Sequence, residues 1–252
     1  MYNNIFPYPN IREQQKEAID FSINALTKDD KKFVIIEAGT GVGKSAIGYT
    51  VANYINKTMP AHENYVDGSL YVTTQKILQD QYVKDFASRG MRSIKSSSNY
   101  MCTYKKGNTC GDSQKELRVE DKSSRFFKAC SFNCVYRKSK EDFLSSKNSV
   151  TNFPYLLTEA TYSKGIKPRN VLVIDEAHNA ESELSKFVEI TVTDRFAKSM
   201  LKLNMPYLKT QFQAYKWIQD VYFPKLTSYK KHVNSMMEKY SGLKSKLKEF
   251  VT

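Results

Sequence analysis

The sequence predicts an α/β fold in which helices cover a parallel sheet, with a cysteine-rich insertion and a helical C-terminal segment. Three short apolar runs predict buried strands, and the first two lead into stretches with apolar residues at helical spacing. These runs are FVIIEA at 33–38, SLYVTT at 69–74 and NVLVIDEA at 170–177. Buried strands separated by helices are typical of parallel, doubly wound sheets.

Two segments depart from this alternation. Residues 95–147 are rich in Ser, Lys and Cys and have weak periodicity, so they are interpreted as an insertion. The insertion separates a first part of the α/β domain, residues 1–94, from a second part, residues 148–193. From 194 to 252 the pattern is helical, and no strand candidate of comparable quality follows.

Length and composition favour a globular protein in a reducing compartment. The chain has 252 residues, 40% of them hydrophobic, which is enough to build a packed core. Its N-terminus MYNNIFPYPNIREQQKE has no basic region followed by an apolar run, and no stretch approaches about 18 consecutive apolar residues. We therefore expect a cytoplasmic protein that does not interact with a membrane.

The net charge of +13 is concentrated in two blocks. Residues 84–147 contain 15 basic and 7 acidic residues, and residues 196–252 contain 11 basic and 3 acidic residues. The remaining segments are close to neutral. Solvated lysine-rich faces would explain these blocks, and so would a binding track for a polyanion, since clustered Lys and Arg gain affinity for phosphates by releasing counterions.

A glycine-rich loop follows the first predicted strand. Its sequence AGTGVGKS fits the phosphate-loop pattern G-x-x-x-x-G-K-[ST], except that alanine replaces the first glycine. The glycines allow the backbone to turn its N–H groups toward phosphates, and the positive end of the next helix points at them. Lys44 can reach the β and γ phosphates, and the Ser45 hydroxyl can bind Mg²⁺. The nucleotide-binding residues predicted in this loop are Ala38, Gly39, Thr40, Gly41, Val42, Gly43, Lys44 and Ser45.

The motif VLVIDEAHN ends the last predicted strand in carboxylates. Asp175 is expected beside Ser45, where it would hold Mg²⁺ directly or through water, and Glu176 is expected to polarise the attacking water. One carboxylate at a strand end is common, but this pair downstream of a phosphate loop predicts ATP hydrolysis. His178 alone would more often be structural, whereas its place in DEAH adds it to the catalytic candidates Lys44, Asp175 and Glu176.

The motifs EAGTGVGKS and DEAHN together resemble motifs I and II of superfamily 2 helicases, and VIDEAHNA resembles the Rad3, XPD and DinG branch. Three further stretches agree: PYPNIREQQKEAI resembles the N-terminal Arg-x-x-Gln motif, LYVTTQKILQDQ resembles motif Ia, and SVTNFPYLL resembles the segment before motif II. The resemblance covers residues 7 to about 190. It implies a RecA-like lobe and an ATP-dependent DNA helicase that moves 5′ to 3′ on single-stranded DNA.

The same resemblance implies roles for individual residues. Gln15 would read adenine, because an amide can donate to and accept from the adenine edge. Thr73, Thr74 and Gln75 would lie near a strand end that touches the DNA backbone. The aromatic rings of Tyr100, Tyr104 and Tyr136, in or beside the first basic block, could stack on bases or pack within the insertion.

Four cysteines occur in the chain, and all of them lie in the insertion. They are Cys102, Cys110, Cys130 and Cys134, separated by seven, nineteen and three residues. This spacing matches neither a ferredoxin nor the tight pairs of common zinc sites, so spacing alone leaves Zn²⁺ and iron–sulfur open. A disulfide framework is a third option, which a reducing compartment disfavours. The resemblance implies a 4Fe-4S cluster, because the named branch holds one on four cysteines between motifs Ia and II.

The resemblance also indicates parts that this sequence does not contain. Helicases of this class hydrolyse ATP between two RecA-like lobes, and arginines of the second lobe stabilise charge on the γ-phosphate. After Arg169 the chain has one arginine, Arg195, and the lysine-rich helices from 194 resemble the start of the family's arch. We therefore expect a fragment or natural half that a second polypeptide with the C-terminal lobe completes. The alternative is a non-catalytic module that binds DNA or a partner.

Overall fold

The computed structural model describes residues 2–163, 165–189 and 191–249, with the backbone alone described for 241–249. The chain divides into two compact units, Met1–Val188 and Glu189–Thr252. Along the described parts the α-helices are α1 Glu13–Thr27, α2 Lys44–Thr58, α3 Lys76–Phe86, α4 Cys110–Leu117, α5 Arg125–Phe132, α6 Val135–Ser145, α7 Phe153–Thr158, α8 Ala180–Val188, α9 Asp194–Met200, α10 Gln211–Trp217 and α11 Phe223–Glu249.

The first unit is built on a parallel sheet of four strands, which confirms the predicted α/β fold. The strands are β1 Val66–Thr73, β2 Met91–Ser93, β3 Asn148–Asn152 and β4 Arg169–Ile174. Their order across the sheet is β2-β3-β1-β4, and all three pairings are parallel. Because β1 and β4 are neighbours, their carboxyl ends bring the segments after Thr73 and Ile174 to the same edge of the sheet.

Helices cover both faces of this sheet. Successive residues of a strand point to opposite faces, and β1 shows this directly. Tyr71 packs against Tyr49 of α2 and Phe86 of α3 on one face. Leu70 and Val72 pack on the other face against buried side chains that include Phe143 of α6. Helices α1 and α2 form a further buried cluster with each other. The sheet is thus doubly covered, as the sequence predicts.

The predicted strand at 33–38 is wrong. These residues form no strand in the structure, and Phe33 and Ile35 are 87% and 86% exposed. A strand requires a neighbour for its backbone N–H and C=O groups. The sheet ends at β4, which pairs with β1 and with no other described strand. The β4 side chains Leu172 and Ile174 are also exposed.

The predicted insertion contains three α-helices, α4 to α6, and the last of these is joined to the sheet. Phe143 near the end of α6 is fully buried in the cluster beneath β1. The Arg169 guanidinium at the start of β4 donates to the carbonyls of Phe143 at 3.1 Å and Leu144 at 3.0 Å. These contacts fix the C-terminal end of the insertion relative to the core of the first unit.

The second unit consists of α9, α10 and α11, as the helical pattern predicts. Its core joins Ala197 and Leu201 to Tyr222, which are all buried. Thr193 and Thr210 cap α9 and α10 by accepting hydrogen bonds from the backbone N–H groups of Phe196 and Gln213. None of the helices in the described part of the chain is long and apolar enough to cross a membrane.

Candidate functional site

The phosphate loop leads directly into α2, which begins at Lys44. Gly41 and Gly43 have φ angles of +82° and +89°, in the left-handed region that glycine adopts without strain. Gly43 also lies close to Gln15, since a Cβ at this position would lie 2.6 Å from Nε2 of Gln15 and would displace that amide. The loop therefore combines glycines in the left-handed region with a helix N-terminus, two features of phosphate-binding loops.

The Arg-x-x-Gln motif braces the loop from α1. Gln15 is buried, and its Nε2 donates to the Val42 carbonyl at 2.7 Å while its Oε1 accepts from the Arg12 backbone N–H at 3.0 Å. The Arg12 guanidinium donates to the Gly41 carbonyl at 2.9 Å. Gln15 keeps one amide hydrogen and one oxygen lone pair beyond these bonds, so adenine recognition by Gln15 stays a prediction.

The carboxylates of DEAH face the phosphate loop. The Lys44 ammonium lies 3.5 Å from Glu176 Oε1 and donates to the Ala38 carbonyl at 3.2 Å. Both partners of the ion pair are about one-third exposed, so the pair is weak and the oxygens of a phosphate could replace it. Burial, followed by the negative charge of Glu176, raises the pKa of Asp175. Negative charge in a partly buried site favours a bound cation.

Tyr82 is a site residue that the sequence interpretation missed. It lies on α3, is 2% exposed, and is close enough to the side chains of Ser45 and Asp175 for both to affect its pKa. Burial, followed by the charge of Asp175, raises the pKa of Tyr82, so the phenol stays a hydrogen-bond donor. Tyr82 thus lies beside Ser45 and Asp175, the two residues predicted to hold Mg²⁺. A tyrosine at an apolar helical position gives no sign of this contact in the sequence.

His178 lies at the exposed rim of the site. Its Nδ1 is 3.4 Å from Glu176 Oε2, and its Nε2 is 2.9 Å from the Asn179 side-chain nitrogen. Because that amide nitrogen can only donate, Nε2 accepts and the proton resides on Nδ1, facing Glu176. Glu176 itself has a φ of +53°, which is unusual for a residue other than glycine. His178 therefore helps to orient the carboxylate predicted to polarise water.

The predicted DNA-facing segment after β1 divides into buried and exposed residues. Thr73 is buried, and its hydroxyl donates to the Gln75 carbonyl at 3.1 Å. Thr74 is half-buried, whereas Gln75 is exposed. Gln75 and Thr74 are thus available to a ligand at this edge of the sheet, and Thr73 serves to shape the turn.

All four cysteines line one pocket in the insertion. None of the four forms a disulfide, and Cys110 and Cys130 are buried whereas Cys102 and Cys134 are half-buried. Cys102 interacts with Cys130, and Cys110 interacts with Cys134. The structure therefore brings together four thiols that are spread over 33 positions of the sequence.

Hydrogen-bond donors surround the Cys102 sulfur. The backbone N–H of Lys105 donates to Cys102 Sγ at 3.3 Å. Burial raises the pKa of Cys102, but the Ser113 hydroxyl and the backbone N–H groups of Lys105 and Tyr104 lower it by more, so the net shift is downward. The Ser113 hydroxyl is close enough to act on this thiol, yet it makes no hydrogen bond of ordinary geometry within the described residues.

The pKa values of two further thiols, Cys110 and Cys130, are raised. Burial and the charge of Cys134 raise the pKa of Cys110, and burial with the charge of Cys102 raises the pKa of Cys130 to about 11. Such values are expected where several thiols share one partly apolar pocket. Among the described residues, no group of three or more His, Cys, Asp or Glu side chains is arranged to hold a single metal ion.

A known protein family matches most of the chain. A family model described as type III restriction enzyme, res subunit, matches residues 8–212, which is well over half of the chain. No curated protein matches the chain. ATP and Mg²⁺ are typical of helicase-like domains in the matched family. The phosphate loop, the DEAH carboxylates and the parallel sheet all lie within the match. The chain therefore belongs to the family of the type III restriction enzyme res subunit, among the ATP-dependent motor domains of superfamily 2 helicase type.

Proposed function

We propose that this chain is the ATP-binding and iron–sulfur half of a DNA helicase of the Rad3, XPD and DinG branch, moving 5′ to 3′ on single-stranded DNA. One observation carries the ATPase part of the proposal. The phosphate loop, Ser45 and the DEAH carboxylates meet at the carboxyl ends of β1 and β4, and the Lys44 ammonium lies 3.5 Å from Glu176. Ligand sites of open parallel sheets occupy this edge.

The residues have separate tasks in hydrolysis. The backbone N–H groups of the loop and the Lys44 ammonium bind the β and γ phosphates, and Ser45 and Asp175 would hold Mg²⁺, which neutralises phosphate charge when bound. Glu176 orients a water molecule and accepts its proton as the oxygen attacks the γ-phosphorus. The bond between that phosphorus and the β–γ bridging oxygen breaks, so ADP and phosphate leave.

We further propose that turnover requires segments outside residues 1–252, including a second RecA-like lobe. Two features support this. The outer edge of β4 pairs with no described strand, and beside it the apolar side chains Leu172 and Ile174 are exposed. Phe33 and Ile35, which precede the phosphate loop, are exposed as well. Apolar side chains along an unpaired edge fit an added strand.

Mixing experiments test this proposal. The 252-residue chain alone should show negligible DNA-stimulated ATPase and no unwinding, because an arginine finger contributes about 10³-fold or more to the rate. Addition of a polypeptide with the remaining first lobe and the second lobe should restore both activities. Robust unwinding by the chain alone would contradict the need for a partner. DNA binding without ATPase in the mixture would favour the non-catalytic module instead.

The cysteine pocket supports a 4Fe-4S cluster, with Cys102, Cys110, Cys130 and Cys134 as its ligands. Four reduced thiols line one pocket, a backbone N–H already donates to one sulfur, and a buried hydroxyl faces the same space. Thiolates with hydrogen bonds to their sulfurs suit such clusters. In a reducing cytoplasm the thiols would stay available. The cluster would tie the loop before α4 to α5 and α6. Zn²⁺ is the alternative that the cysteine spacing leaves open, although the described residues form no group arranged to hold a metal ion.

The proposed DNA track includes the insertion, but its aromatic residues differ from those expected. Tyr100 and Tyr136 pack edge to face at 5.5 Å, and the Tyr136 hydroxyl lies 3.0 Å from that of Tyr155. These two rings therefore pack within the protein. Tyr104 is about half exposed, and Phe132, between Cys130 and Cys134, is 84% exposed. Phe132 is the better candidate for stacking on a base.

Phe132→Ala should weaken binding of single-stranded DNA by roughly tenfold, because stacking on an aromatic side chain contributes about 1–3 kcal/mol per base. Val119→Ala is the matched control, since Val119 is also exposed in the insertion but has no ring. Fluorescence anisotropy across a salt series measures both variants. Binding should weaken steeply with salt. Equal affinity of Phe132→Ala and Val119→Ala would remove Phe132 from the interface, and a flat salt dependence would contradict the charged track.

A further inference from the structure

The protein contacts of the Ser113 side chain do not explain why this serine is buried. It lies on α4, three residues after Cys110, and is 1% exposed. Its hydroxyl lines the four-cysteine pocket and has no hydrogen-bond partner within the described residues. A buried hydroxyl without a partner destabilises the fold, and alanine at this position would avoid that cost. The arrangement indicates that Ser113 gains its hydrogen-bond partner when the pocket is occupied.

Other serines of the insertion show how a serine in a helix usually satisfies its hydroxyl. Ser131 on α5 donates to the Phe127 carbonyl at 2.8 Å, and Ser145 on α6 donates to the Glu141 carbonyl at 2.8 Å. Each satisfies its hydroxyl on the carbonyl four residues earlier. Ser113 could use the Thr109 carbonyl in the same way, but that carbonyl accepts from the Ser113 backbone N–H at 3.1 Å and not from the hydroxyl. The hydroxyl is directed to the pocket instead.

We infer that Ser113 donates a hydrogen bond from its hydroxyl to the Cys102 sulfur when the pocket holds its cluster, and that this bond sets the cluster's reduction potential. The inference rests on the iron–sulfur part of the proposed function. A metal-bound thiolate is a stronger acceptor than a thiol, so ligation would complete a contact that the present geometry only approaches. The backbone N–H of Lys105 approaches the same sulfur at 3.3 Å, so Cys102 would accept two donors.

The bond should favour the reduced cluster. Reduction adds one electron to the iron–sulfur unit and increases negative charge on its sulfurs, while the hydroxyl keeps its proton and donates more strongly. Removing the donor should therefore stabilise the oxidised form relative to the reduced form. Ser113 is a positioning and tuning residue in this scheme and touches neither DNA nor nucleotide.

Potentiometry on the full chain, purified without oxygen, tests the inference. Wild type, Ser113→Ala, Ser113→Thr and Ser131→Ala are titrated with dithionite while visible absorbance and iron content are measured. In Ser113→Ala the ratio of reduced to oxidised cluster at fixed potential should fall about tenfold, which for one electron is a shift of about 59 mV. Ser113→Thr, which keeps the hydroxyl, and Ser131→Ala, which lies outside the pocket, should stay near wild type.

The outcomes separate this inference from the cluster itself. Full iron content in Ser113→Ala with an unshifted potential would overturn the role of Ser113 alone. An equal shift in Ser113→Thr would show that the hydroxyl is not responsible. If Ser113→Ala loses iron, the result for Ser113→Thr decides. Wild-type iron content and potential in Ser113→Thr would support the role of the hydroxyl, and loss of either would contradict it. Wild type without iron would overturn the cluster and the inference together.

Discussion

Lys44→Ala should lower ATP hydrolysis by the completed motor by about 10²- to 10³-fold, the range seen when one group that stabilises transition-state charge is removed. The structure gives the reason. Lys44 is the first residue of α2, at the helix end that faces the phosphates, and its ammonium contacts the Ala38 carbonyl and Glu176. No other described lysine occupies this loop, so water or a distant cation would have to replace it.

The experiment uses this chain mixed with the polypeptide that supplies the missing lobes, with steady-state phosphate release as the readout. Lys57→Ala is the matched control, because Lys57 is an exposed lysine in the last turn of the same helix. Glu176→Gln keeps the shape of the side chain but removes the proton acceptor, so it should abolish turnover while nucleotide binding persists. ATPase within a few fold of wild type in Lys44→Ala would contradict the assignment of this loop.

The loop and helix of the candidate nucleotide site could be predicted from sequence because the two are adjacent in the chain. A phosphate loop consists of consecutive residues that lead into a helix, and the structure shows α2 beginning at Lys44 as expected, although the strand expected before the loop, at 33–38, is absent. Contacts between residues that lie far apart in the sequence are harder to predict. Tyr82 reaches Ser45 and Asp175 from a third element, and its position depends on how α3 packs on the sheet. Periodicity identifies a helix but does not show which side chains its neighbours contact.

Composition misleads for the strands in two ways: it predicts one strand that is absent and misses one that is present. Residues 33–38 have an apolar, β-branched composition but no partner strand among the described residues, so composition alone predicts a strand that is not there. β3 has the opposite character, since it is fully buried yet largely polar. Its polar groups are satisfied by tertiary hydrogen bonds, from Thr151 to the Ile94 carbonyl and between Asn152 and Gln79. An apolar pattern cannot reveal such a strand.

Cys102→Ser should release the metal from the insertion and unfold it locally. Cys102 is held in a loop closed by hydrogen bonds from its own N–H to the Asn108 carbonyl at 2.9 Å and from the Cys110 N–H to the Tyr100 carbonyl at 2.7 Å. A serine hydroxyl is a poor ligand for iron at neutral pH, so the cluster would lose one of its four anchors. We expect brown wild-type protein with about four irons and four sulfides, and a colourless variant.

Loss of the cluster should appear as faster proteolysis within residues 95–147, because bound metal stabilises only the folded insertion. Binding at 100 times Kd contributes about 2.7 kcal/mol, so local opening should rise about a hundredfold when it is lost. The control is again Ser131→Ala, which leaves the four thiols intact. Because α6 is joined to the sheet through Phe143 and Arg169, cleavage should concentrate in the part of the insertion before α6. Colourless wild-type protein with one bound zinc would overturn the cluster. A Cys102→Ser variant with full metal content and unchanged proteolysis would show that Cys102 is not a ligand.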